Sequence, residues 1–224
     1  MKIAELFYSI QGEGTLAGVP SVFIRTTGCN LRCSWCDTPY TSWNPEGCDM
    51  AIDEIMAYVA EHSKGHTVIT GGEPMIAPGV VELTQRLAKE PEHITIETAG
   101  TVYQPVACDL MSISPKLANS TPNDPQWGAR HDRLRIQPEV LRRLASEYPY
   151  QLKFVVASEA DLAEIRVIAG LIHADPANVL LMPEGIDRDV LRERGVWLAE
   201  LAKQEGYRFS PRLHVELYGN KRGT

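Results

Sequence analysis

The sequence predicts an α/β fold, a partial (β/α)6-type barrel with mostly parallel strands. Compact β-rich runs alternate with segments of helical periodicity, which is the pattern of repeated β-α-β units. Roughly six such units fit into the chain, fewer than the eight of a closed (β/α)8 barrel. No repeat, low-complexity segment or linker divides residues 1–224, so we expect a single domain with its functional loops at the C-terminal ends of the strands.

The first half of the chain is expected to contain two helices between its strands. Apolar residues from Ile52 onward recur at the spacing of one helix face, and Gly65 is expected to end that helix. The same spacing returns from Val80 to Ala88 and predicts a second helix. Strands are predicted at SVFIRT (21–26), HTVIT (66–70), ITIET (94–98) and LMSIS (110–114).

The second half resumes the alternation after an irregular segment. Residues 117–137 are rich in Asn, Pro, Arg and Asp, and they predict a loop-rich insert of the kind that often has a function. Pro138 suits the first turn of a helix, and Ser158 with Asp161 resembles a capping box that opens another one. A further helix is expected to end near Glu205. The remaining predicted strands are QLKFVVA (151–157), NVLLMP (178–183) and RLHVEL (212–217).

Charge and hydropathy narrow the classes of protein that fit. The net charge of −7 is spread over interspersed acids and bases, which argues against nucleic acid as the direct ligand. No apolar run approaches the ~20 residues that span a bilayer. The N-terminus also lacks the uninterrupted apolar stretch of a secretory signal. We therefore expect a cytoplasmic protein.

Three of the five cysteines lie close together in GCNLRCSWCD (28–37). Thiolates are the ligands that iron–sulfur clusters use, and a four-iron cluster on Cys29, Cys33 and Cys36 would keep one iron free for a small molecule. In a reducing cytoplasm this odd number of cysteines does not indicate a disulfide framework. Cys48 and Cys108 stand alone, and they are expected to be buried structural residues.

Other interpretations of the three clustered cysteines remain open at this point. Cys33 and Cys36 have the spacing of a redox pair, although such a pair does not need Cys29. A zinc ion could take a histidine as its fourth ligand, and His62 and His66 are the nearest in the sequence. All three thiols could also lie in the core, but their polar neighbours in the sequence argue against this.

Two motifs together resemble the radical S-adenosylmethionine superfamily. C-x3-C-x-aromatic-C, with Trp35 as the aromatic residue, follows the first predicted strand, and TGGEP (70–74) follows the next one. A narrower resemblance covers nearly the whole chain and is to the 7-carboxy-7-deazaguanine synthase family. It depends on SIQGEG (9–14), FIRTTGCNLRCSWCDT (23–38), TGGEP, IETAGT (96–101), SPK (114–116) and a terminal LH…YGNKRGT.

The family resemblance implies an activity, its cofactors and its partners. Members convert 6-carboxy-5,6,7,8-tetrahydropterin to 7-carboxy-7-deazaguanine by a ring contraction that releases ammonia, on the pathway to 7-deazapurine nucleosides such as queuosine in tRNA. The implied cofactors are a 4Fe-4S cluster, S-adenosylmethionine and Mg²⁺, and the radical comes from the cofactor rather than from a catalytic side chain. A flavodoxin-type reductase and a homodimer are expected, with no direct contact to nucleic acid or membrane.

The same resemblance implies roles for individual residues. The cluster ligands are Cys29, Cys33 and Cys36, and Thr38 is the Mg²⁺ ligand. Implied S-adenosylmethionine contacts are Trp35, Gly72, Glu97, Ser114, Pro115 and Lys116. Implied substrate contacts are Ile10, Gln11, Gly12, Glu13, Arg25, Thr70, His214 and the terminal Thr224. Met182 stands where some family members have a glutamine, and a methionine cannot make the same polar contacts. The sequence therefore does not assign the residues that would bind the adenosine part.

Two other functions compete with the ring contraction. One is an activase that installs a glycyl radical on a partner protein; it would share the cysteines and GGE but would not need QGEG or CDT. The other is a non-catalytic iron–sulfur or zinc-binding module. Turnover of the free pterin without a protein partner separates the first, and iron content with reductive cleavage of S-adenosylmethionine separates the second.

Overall fold

The computed structural model describes residues 1–224 and contains one nine-stranded sheet. The strands are β1 (Lys2–Ile10), β2 (Pro20–Thr26), β3 (Cys48–Asp49), β4 (His66–Gly71), β5 (His93–Thr98), β6 (Leu110–Ile113), β7 (Tyr150–Val156), β8 (Val179–Pro183) and β9 (Arg208–Phe209). Their order across the sheet is β3-β1-β2-β4-β5-β6-β7-β8-β9. Every pairing from β2 to β9 is parallel, whereas β1 pairs antiparallel with both β2 and β3. The sheet does not close, which confirms the partial barrel.

Helices follow the parallel strands and cover the sheet. They are α1 (Pro39–Ser42), α2 (Ile52–His62), α3 (Val80–Leu87), α4 (Gly128–Leu134), α5 (Pro138–Glu147), α6 (Asp161–Leu171), α7 (Arg188–Glu205) and α8 (Leu213–Tyr218). Short 3-10 turns lie at Gly14–Leu16, Pro74–Ile76, Ala118–Ser120 and Pro176–Asn178. None of the helices combines the length and the apolar character that crossing a membrane requires.

A single core lies between the sheet and its helices. It contains 30 buried apolar residues contributed by nearly every strand and by α2, α3, α5, α6 and α7. In α3 the buried residues Val80, Leu83 and Leu87 follow the spacing of one helix face, as the sequence predicts. The central strands are buried along nearly their whole length, because helices cover one face and the opposite face lines the barrel interior.

Two predictions for the termini of the fold differ from the structure. The segment Lys2–Ile10 is a strand that the sequence analysis did not predict. RLHVEL was predicted as the last strand and is instead α8. Arg212 and Val215 are the buried residues there, and their separation fits one helical turn. The Leu213 N–H donates to the Gly12 carbonyl (2.8 Å) rather than to a neighbouring strand.

Three smaller predictions also need correction. Residues 117–137 are not simply a loop, because they contain the turn Ala118–Ser120 and helix α4. The box at the start of α6 is only half formed: the Asp161 carboxylate accepts from the Ser158 N–H (3.0 Å), but the Ser158 hydroxyl does not cap the helix. Cys48 is exposed in the edge strand β3, so the expectation that it is buried is wrong. Cys108 is half-buried, and burial raises the pKa of its thiol to about 12.

Candidate active site

One cavity of about 460 Å³ opens at the C-terminal ends of the parallel strands. The loops after β2, β4, β5 and β8 contribute to its wall, as the partial-barrel prediction requires. It brings together all but one of the predicted site residues: Ile10, Gln11, Gly12, Glu13, Arg25, Cys29, Cys33, Trp35, Cys36, Thr38, Thr70, Gly72, Glu97, Ser114, Lys116, His214 and Thr224. The exception is Pro115, which is buried outside the cavity lining.

The three cysteines lie on an irregular loop, residues 27–38, which we call the cysteine loop. Its backbone is held by neighbouring elements: the Gly28 N–H donates to the Thr41 carbonyl (2.8 Å), and the Arg32 N–H donates to His131 Nδ1 (3.0 Å). The Trp43 indole N–H donates to the Cys33 carbonyl (3.0 Å). These bonds hold the loop through its backbone. Of the thiols, Cys29 Sγ accepts from the Leu31 N–H (3.4 Å), and Cys36 Sγ lies 3.3 Å from the Ser42 hydroxyl oxygen.

The thiols fit an iron–sulfur cluster. Burial raises the pKa of Cys29 to about 12, with Glu73 adding to the effect, and burial raises the pKa of Cys33 to about 11. Such thiols become thiolates only when a cationic centre compensates the charge, as an iron–sulfur centre does. No three His, Cys, Asp or Glu side chains converge on a single ion. Cysteines that bind separate irons of one cluster do not need to converge in this way.

The histidines considered for a zinc site are not available to the cysteines. His62 and His66 do not line the cavity. The buried His66 ring is hydrogen-bonded on both nitrogens, to the Ser21 hydroxyl (2.7 Å) and the Thr95 hydroxyl (2.9 Å). Neither histidine could therefore supply the fourth ligand of a zinc ion on the cysteine loop.

The GGEP turn packs directly against the cysteine loop. A Cβ atom at Gly72 would lie 2.2 Å from the Gly28 carbonyl oxygen, so only glycine allows the two loops to come this close. The Glu73 carboxylate is fully buried and accepts from the Thr98 hydroxyl (2.7 Å) and from the N–H groups of Ala99 (2.8 Å) and Met75 (3.1 Å). Burial nevertheless raises its pKa. Glu73 thus fastens the turn after β4 to the end of β5.

Trp35 of the cysteine loop lines the cavity together with Ser114 and Lys116 of the SPK motif. Lys116 Nζ donates to the Ser114 carbonyl (2.9 Å) and hydroxyl (2.8 Å), and it lies 5.9 Å from the centre of the Trp35 ring. The Trp35 indole N–H donates to the carbonyl and side-chain oxygens of Asn119, both at 3.1 Å. Trp35 is half-buried at the cavity wall, so it is not a core aromatic residue.

A buried lysine connects two carboxylates that line the cavity. Lys153 is 4% exposed, forms an ion pair with Glu13, and has Nζ 3.8 Å from Glu97 Oε1. Burial alone would lower the pKa of Lys153, but Glu13 and Glu97 outweigh it and raise that pKa. Lys153 is therefore charged, and it stabilises negative charge on both glutamates.

Arg212 joins the C-terminal segment to the cysteine loop. It is 8% exposed; its Nε donates to Glu13 Oε1 (3.0 Å), and its guanidinium also pairs with Asp37. Burial favours the neutral form of both acids. At Asp37 the charge of Arg212 outweighs the effect of burial, and at Glu13 the charges of Lys153 and Arg212 together outweigh it. The pKa of each carboxyl is lowered, so these cations stabilise the ionised form of both acids.

Glu97 shares its hydrogen bonds with residues predicted to contact the substrate. Its two oxygens accept from the Gln11 side-chain amide (3.2 Å) and the Thr70 hydroxyl (2.9 Å). The family resemblance instead implied a contact between Glu97 and S-adenosylmethionine. The hydrogen bonds of Glu97 group it with Gln11 and Thr70.

The close approach of Gly12 and His214 shapes the mouth of the cavity. A Cβ atom at Gly12 would lie 1.9 Å from His214 Nδ1, so the QGEG turn can pass the imidazole only as glycine. His214 lies on α8 and not on the predicted strand. Burial lowers its pKa, with Glu13 opposing the shift, so the ring is a neutral donor or acceptor near pH 7.

Arg25 and Thr38 line the cavity with other partners already in place. Arg25 Nε lies 2.7 Å from Glu5 Oε2, although the N–H direction does not meet the angle of a hydrogen bond, and Tyr40 donates to the same oxygen (2.6 Å). Thr38 precedes α1, and its carbonyl accepts from the Thr41 hydroxyl (2.9 Å). The Thr38 hydroxyl oxygen lies 3.4 Å from the same Thr41 hydroxyl and 3.9 Å from Cys36 Sγ. A hydroxyl oxygen has two lone pairs, so one of them remains for a cation.

Sequence reasoning missed two of the site's cations. Lys153 had a visible signal, because it interrupts the apolar strand QLKFVV where a lysine is rarely buried without a partner. Arg212 had none, because its partners Glu13 and Asp37 are far away in the sequence. Met182, which replaces the glutamine of some family members, also lines the cavity.

Comparisons with known proteins identify the class first. The family described as the radical SAM superfamily matches residues 23–116, which contain the cysteine loop and the GGEP turn. Together, the open, mostly parallel sheet and the three-cysteine cavity make this a radical S-adenosylmethionine enzyme. The protein named QueE from Escherichia coli has a similar crystal structure, with a TM-score of 0.70 and 26% identity over 95% of this chain and 94% of that one.

Two relatives define the family within that class. The 7-carboxy-7-deazaguanine synthase of Halobacterium salinarum is 46% identical over 98% of this chain and 91% of its own length. The synthase of the same name from Rhodopirellula baltica is 44% identical, over 99% and 88% respectively. The chain belongs to the 7-carboxy-7-deazaguanine synthase family.

Proposed function

We propose that this protein converts 6-carboxy-5,6,7,8-tetrahydropterin to 7-carboxy-7-deazaguanine, with ring contraction and release of ammonia. The observation that carries the proposal is a single cavity in which the cysteine loop faces a cluster of buried charged side chains. Similarity to synthases of this name extends over nearly the whole chain, including both halves of that cavity. The product would serve 7-deazapurine biosynthesis, including queuosine.

The cysteine side of the cavity would hold the cofactors. Cys29, Cys33 and Cys36 are the ligands we assign to a 4Fe-4S cluster. When bound, this cluster and S-adenosylmethionine supply the 5′-deoxyadenosyl radical that starts the reaction. Beside these cysteines, Lys116 has the charge to pair with a carboxylate, and Trp35 has a ring face to pack on. Gly72 and Ser114 complete the contacts proposed for S-adenosylmethionine, whereas Pro115, outside the lining, would only position its neighbours Ser114 and Lys116.

The opposite side of the cavity would hold the pterin. The amino-pyrimidinone edge of a pterin presents adjacent donors, and the Glu97 carboxylate, fixed by Gln11 and Thr70, is an acceptor for them. We therefore assign Glu97 to the substrate rather than to S-adenosylmethionine. Both Glu13 oxygens are already used by Lys153 and Arg212, so Glu13 would position the site more than contact the ring. Ile10, Gly12 and His214 would border the same ring.

The charge of the substrate carboxylate needs a cation. Arg25 faces the cavity, and Mg²⁺ bound through the Thr38 hydroxyl would add a second positive charge. Mg²⁺ prefers six oxygen ligands and takes several of them from substrate and water, so one protein hydroxyl is enough. Thr38→Ala should weaken the Mg²⁺ dependence of turnover while the iron content stays unchanged. A Thr38→Ala enzyme with the wild-type Mg²⁺ titration curve would exclude this role.

Two protein partners belong to the proposal, one required by the chemistry and one expected from the family. A flavodoxin-type reductase would supply the electron that the cluster requires, and a homodimer is expected from the family. The homodimer would appear in size measurements of the cluster-loaded protein.

Anaerobic turnover is the decisive test. The cluster-loaded enzyme, S-adenosylmethionine, Mg²⁺ and a chemical reductant should convert the free pterin to a product with the mass and ultraviolet spectrum of 7-carboxy-7-deazaguanine. Success without a partner protein would exclude the glycyl-radical activase. A protein that binds no iron, or that does not cleave S-adenosylmethionine, would favour the non-catalytic module and contradict the proposal. Similarity to named synthases favours neither of these alternatives.

A further inference from the structure

A small basic surface lies on the outside of the cysteine loop, and its function is not explained by the cavity. We call it the basic face, and it consists of Arg32, Trp127, Arg130 and Arg133. The Arg32 guanidinium carbon lies 4.2 Å from the centre of the Trp127 ring, and that of Arg130 lies 4.9 Å from the same centre. Arg130 and Arg133 are exposed on α4.

The charges of the basic face have no acidic partner within the protein. None of its three arginines takes part in an ion pair. The nearest acid in the helix, Asp132, pairs with Arg135 instead. Two guanidinium groups next to the same indole ring repel each other, and an anion that binds beside them would offset this repulsion. On a chain with net charge −7, this local positive charge favours an acidic partner.

The basic face is attached directly to the cysteine loop. Arg32 precedes Cys33, and its Nη1 donates to the carbonyls of Cys29 and Leu31, both at 2.7 Å. His131 of α4 accepts from the Arg32 N–H (3.0 Å), which ties α4 to the same loop. A protein that docks here would therefore rest against the backbone that carries the cysteines.

We propose that the basic face is the docking surface for the electron donor, a small acidic flavoprotein of low potential. The inference rests on the proposed function, because only an enzyme with a reduced iron–sulfur centre needs such a donor. One electron would leave the reduced flavin and enter the centre, and no bond would be made or broken. An exposed acidic rim around the flavin would complement Arg130 and Arg133.

The size of the basic face argues for a protein partner and against nucleic acid. Binding to nucleic acid depends on the neutralisation of many phosphates by a broad array of cations. Here only three arginines contribute, and the exposed Asp132 on the same short helix adds a negative charge nearby. A few charge pairs are sufficient to steer an acidic protein to its docking site.

Binding of a flavodoxin to charge-reversed variants tests the proposal. Arg130→Glu with Arg133→Glu reverses the exposed charges and leaves Arg32, which supports the cysteine loop, unchanged. The matched control is Lys64→Glu with Lys89→Glu, which makes the same change in net charge at exposed positions before β4 and β5, at the opposite end of the strands. Calorimetry would measure the Kd of oxidised flavodoxin for each cluster-loaded protein at low and at physiological salt.

The Arg130→Glu, Arg133→Glu variant should bind flavodoxin roughly tenfold or more weakly than the native chain at low salt. Its remaining affinity should depend little on salt. The control should bind like the native chain. Turnover driven by reduced flavodoxin should fall in the same variant, whereas turnover driven by dithionite should be equal in all three proteins.

Two results would overturn the proposal. One is equal flavodoxin affinity in the reversed and control proteins. The other is binding of tRNA but not flavodoxin to the native chain, abolished by the reversal. Failure of dithionite-driven turnover in the native enzyme would instead contradict the proposed function, and the binding measurement would still report on the basic face.

Discussion

At the residue scale, the three cysteines of the cavity differ in burial. Cys33 is 8% exposed, and Cys29 and Cys36 are half-buried. Burial raises the pKa of Cys29 and of Cys33, and no other cysteine lines the cavity, so each of the three thiolates is needed by a cluster of four irons.

Cys33→Ala should abolish radical formation, because the cluster loses a ligand. Iron content after anaerobic reconstitution and deoxyadenosine release measure this directly. Cys48→Ala, in the exposed edge strand β3, is the matched control and should keep both. Deoxyadenosine formation by the Cys33→Ala protein would show that the cluster assignment is wrong.

Lys153 makes a second prediction at this scale. Lys153→Met leaves Glu97 without a nearby cation and removes one of the two cations at Glu13. Removal of one partner from a buried ion pair costs about 3–5 kcal/mol, so the free energy of unfolding and the turnover should both fall. Urea unfolding and steady-state kinetics would measure the two effects.

A double variant separates charge pairing from packing. Adding Glu13→Gln to Lys153→Met removes both charges of the pair and should recover part of the lost stability, because a neutral pair no longer carries an uncompensated buried charge. Additive losses in this cycle, or a Lys153→Met protein as stable as the wild type, would contradict a charge role for Lys153.

At the scale of elements, His131 connects α4 to the cysteine loop and to the 3-10 turn at Ala118–Ser120. Its ring is fully buried, accepts from the Arg32 N–H at Nδ1 (3.0 Å) and lies 2.9 Å from the Ser120 hydroxyl at Nε2. Burial lowers its pKa to about 4; Arg135 and Lys116 add to the lowering, and Asp132 opposes it. The contact therefore requires a neutral imidazole.

This neutral imidazole makes the stability depend on pH. An unfolded histidine binds its proton near pH 6.5, whereas folded His131 does so near 4, so between these values the unfolded state holds more protons. Stability from this group is complete above pH 6.5 and is lost as the pH falls toward 4. Urea unfolding at several values between pH 6.5 and 5 should show this slope.

His131→Gln should reduce that slope, whatever its effect on stability at pH 7. His62→Gln, on the partly exposed face of α2, is the control and should keep it. His66, whose pKa burial also lowers to about 4, should retain part of the slope in both variants. An unchanged slope in His131→Gln would contradict a buried neutral ring.

At the scale of the whole molecule, the C-terminal segment forms one wall of the cavity that lies at the ends of the strands. Arg212 pairs with Asp37 of the cysteine loop, and Thr224 lines the cavity wall. Arg222 lies 3.6 Å above the centre of the Tyr40 ring and donates to Glu46 (2.9 Å). The last helix and the residues after it thus contact the loops that follow β2.

A peptide tag fused after Thr224 should impair turnover. Residues 220–224 line the cavity, so a tag attached there would crowd the cavity or displace these residues from its wall. A protease site between Thr224 and the tag provides the control, since cleavage should restore the activity. Cluster content should not change, because the cysteine loop is held by its own contacts. Full turnover of the tagged enzyme would contradict a role for Thr224 in the cavity wall.

The sequence by itself determined the repeated strand-helix order and the position of the cysteine and glycine motifs. Local patterns are sufficient for these features: helix periodicity depends on neighbours in the chain, and Val80, Leu83 and Leu87 are buried as their spacing predicts. The ligand set of Cys29 and its two partners was likewise predicted within one short loop, and all three line one cavity.

Only the tertiary structure decided which distant residues complete the site. RLHVEL alternates like a strand, but Arg212 reaches Glu13 and Asp37, and the QGEG turn takes the Leu213 N–H, so the segment folds as a helix. Lys153 has no partner near it in the sequence. The reason is physical: a buried charge is stable only with a compensating charge, and here the partners come from opposite ends of the chain.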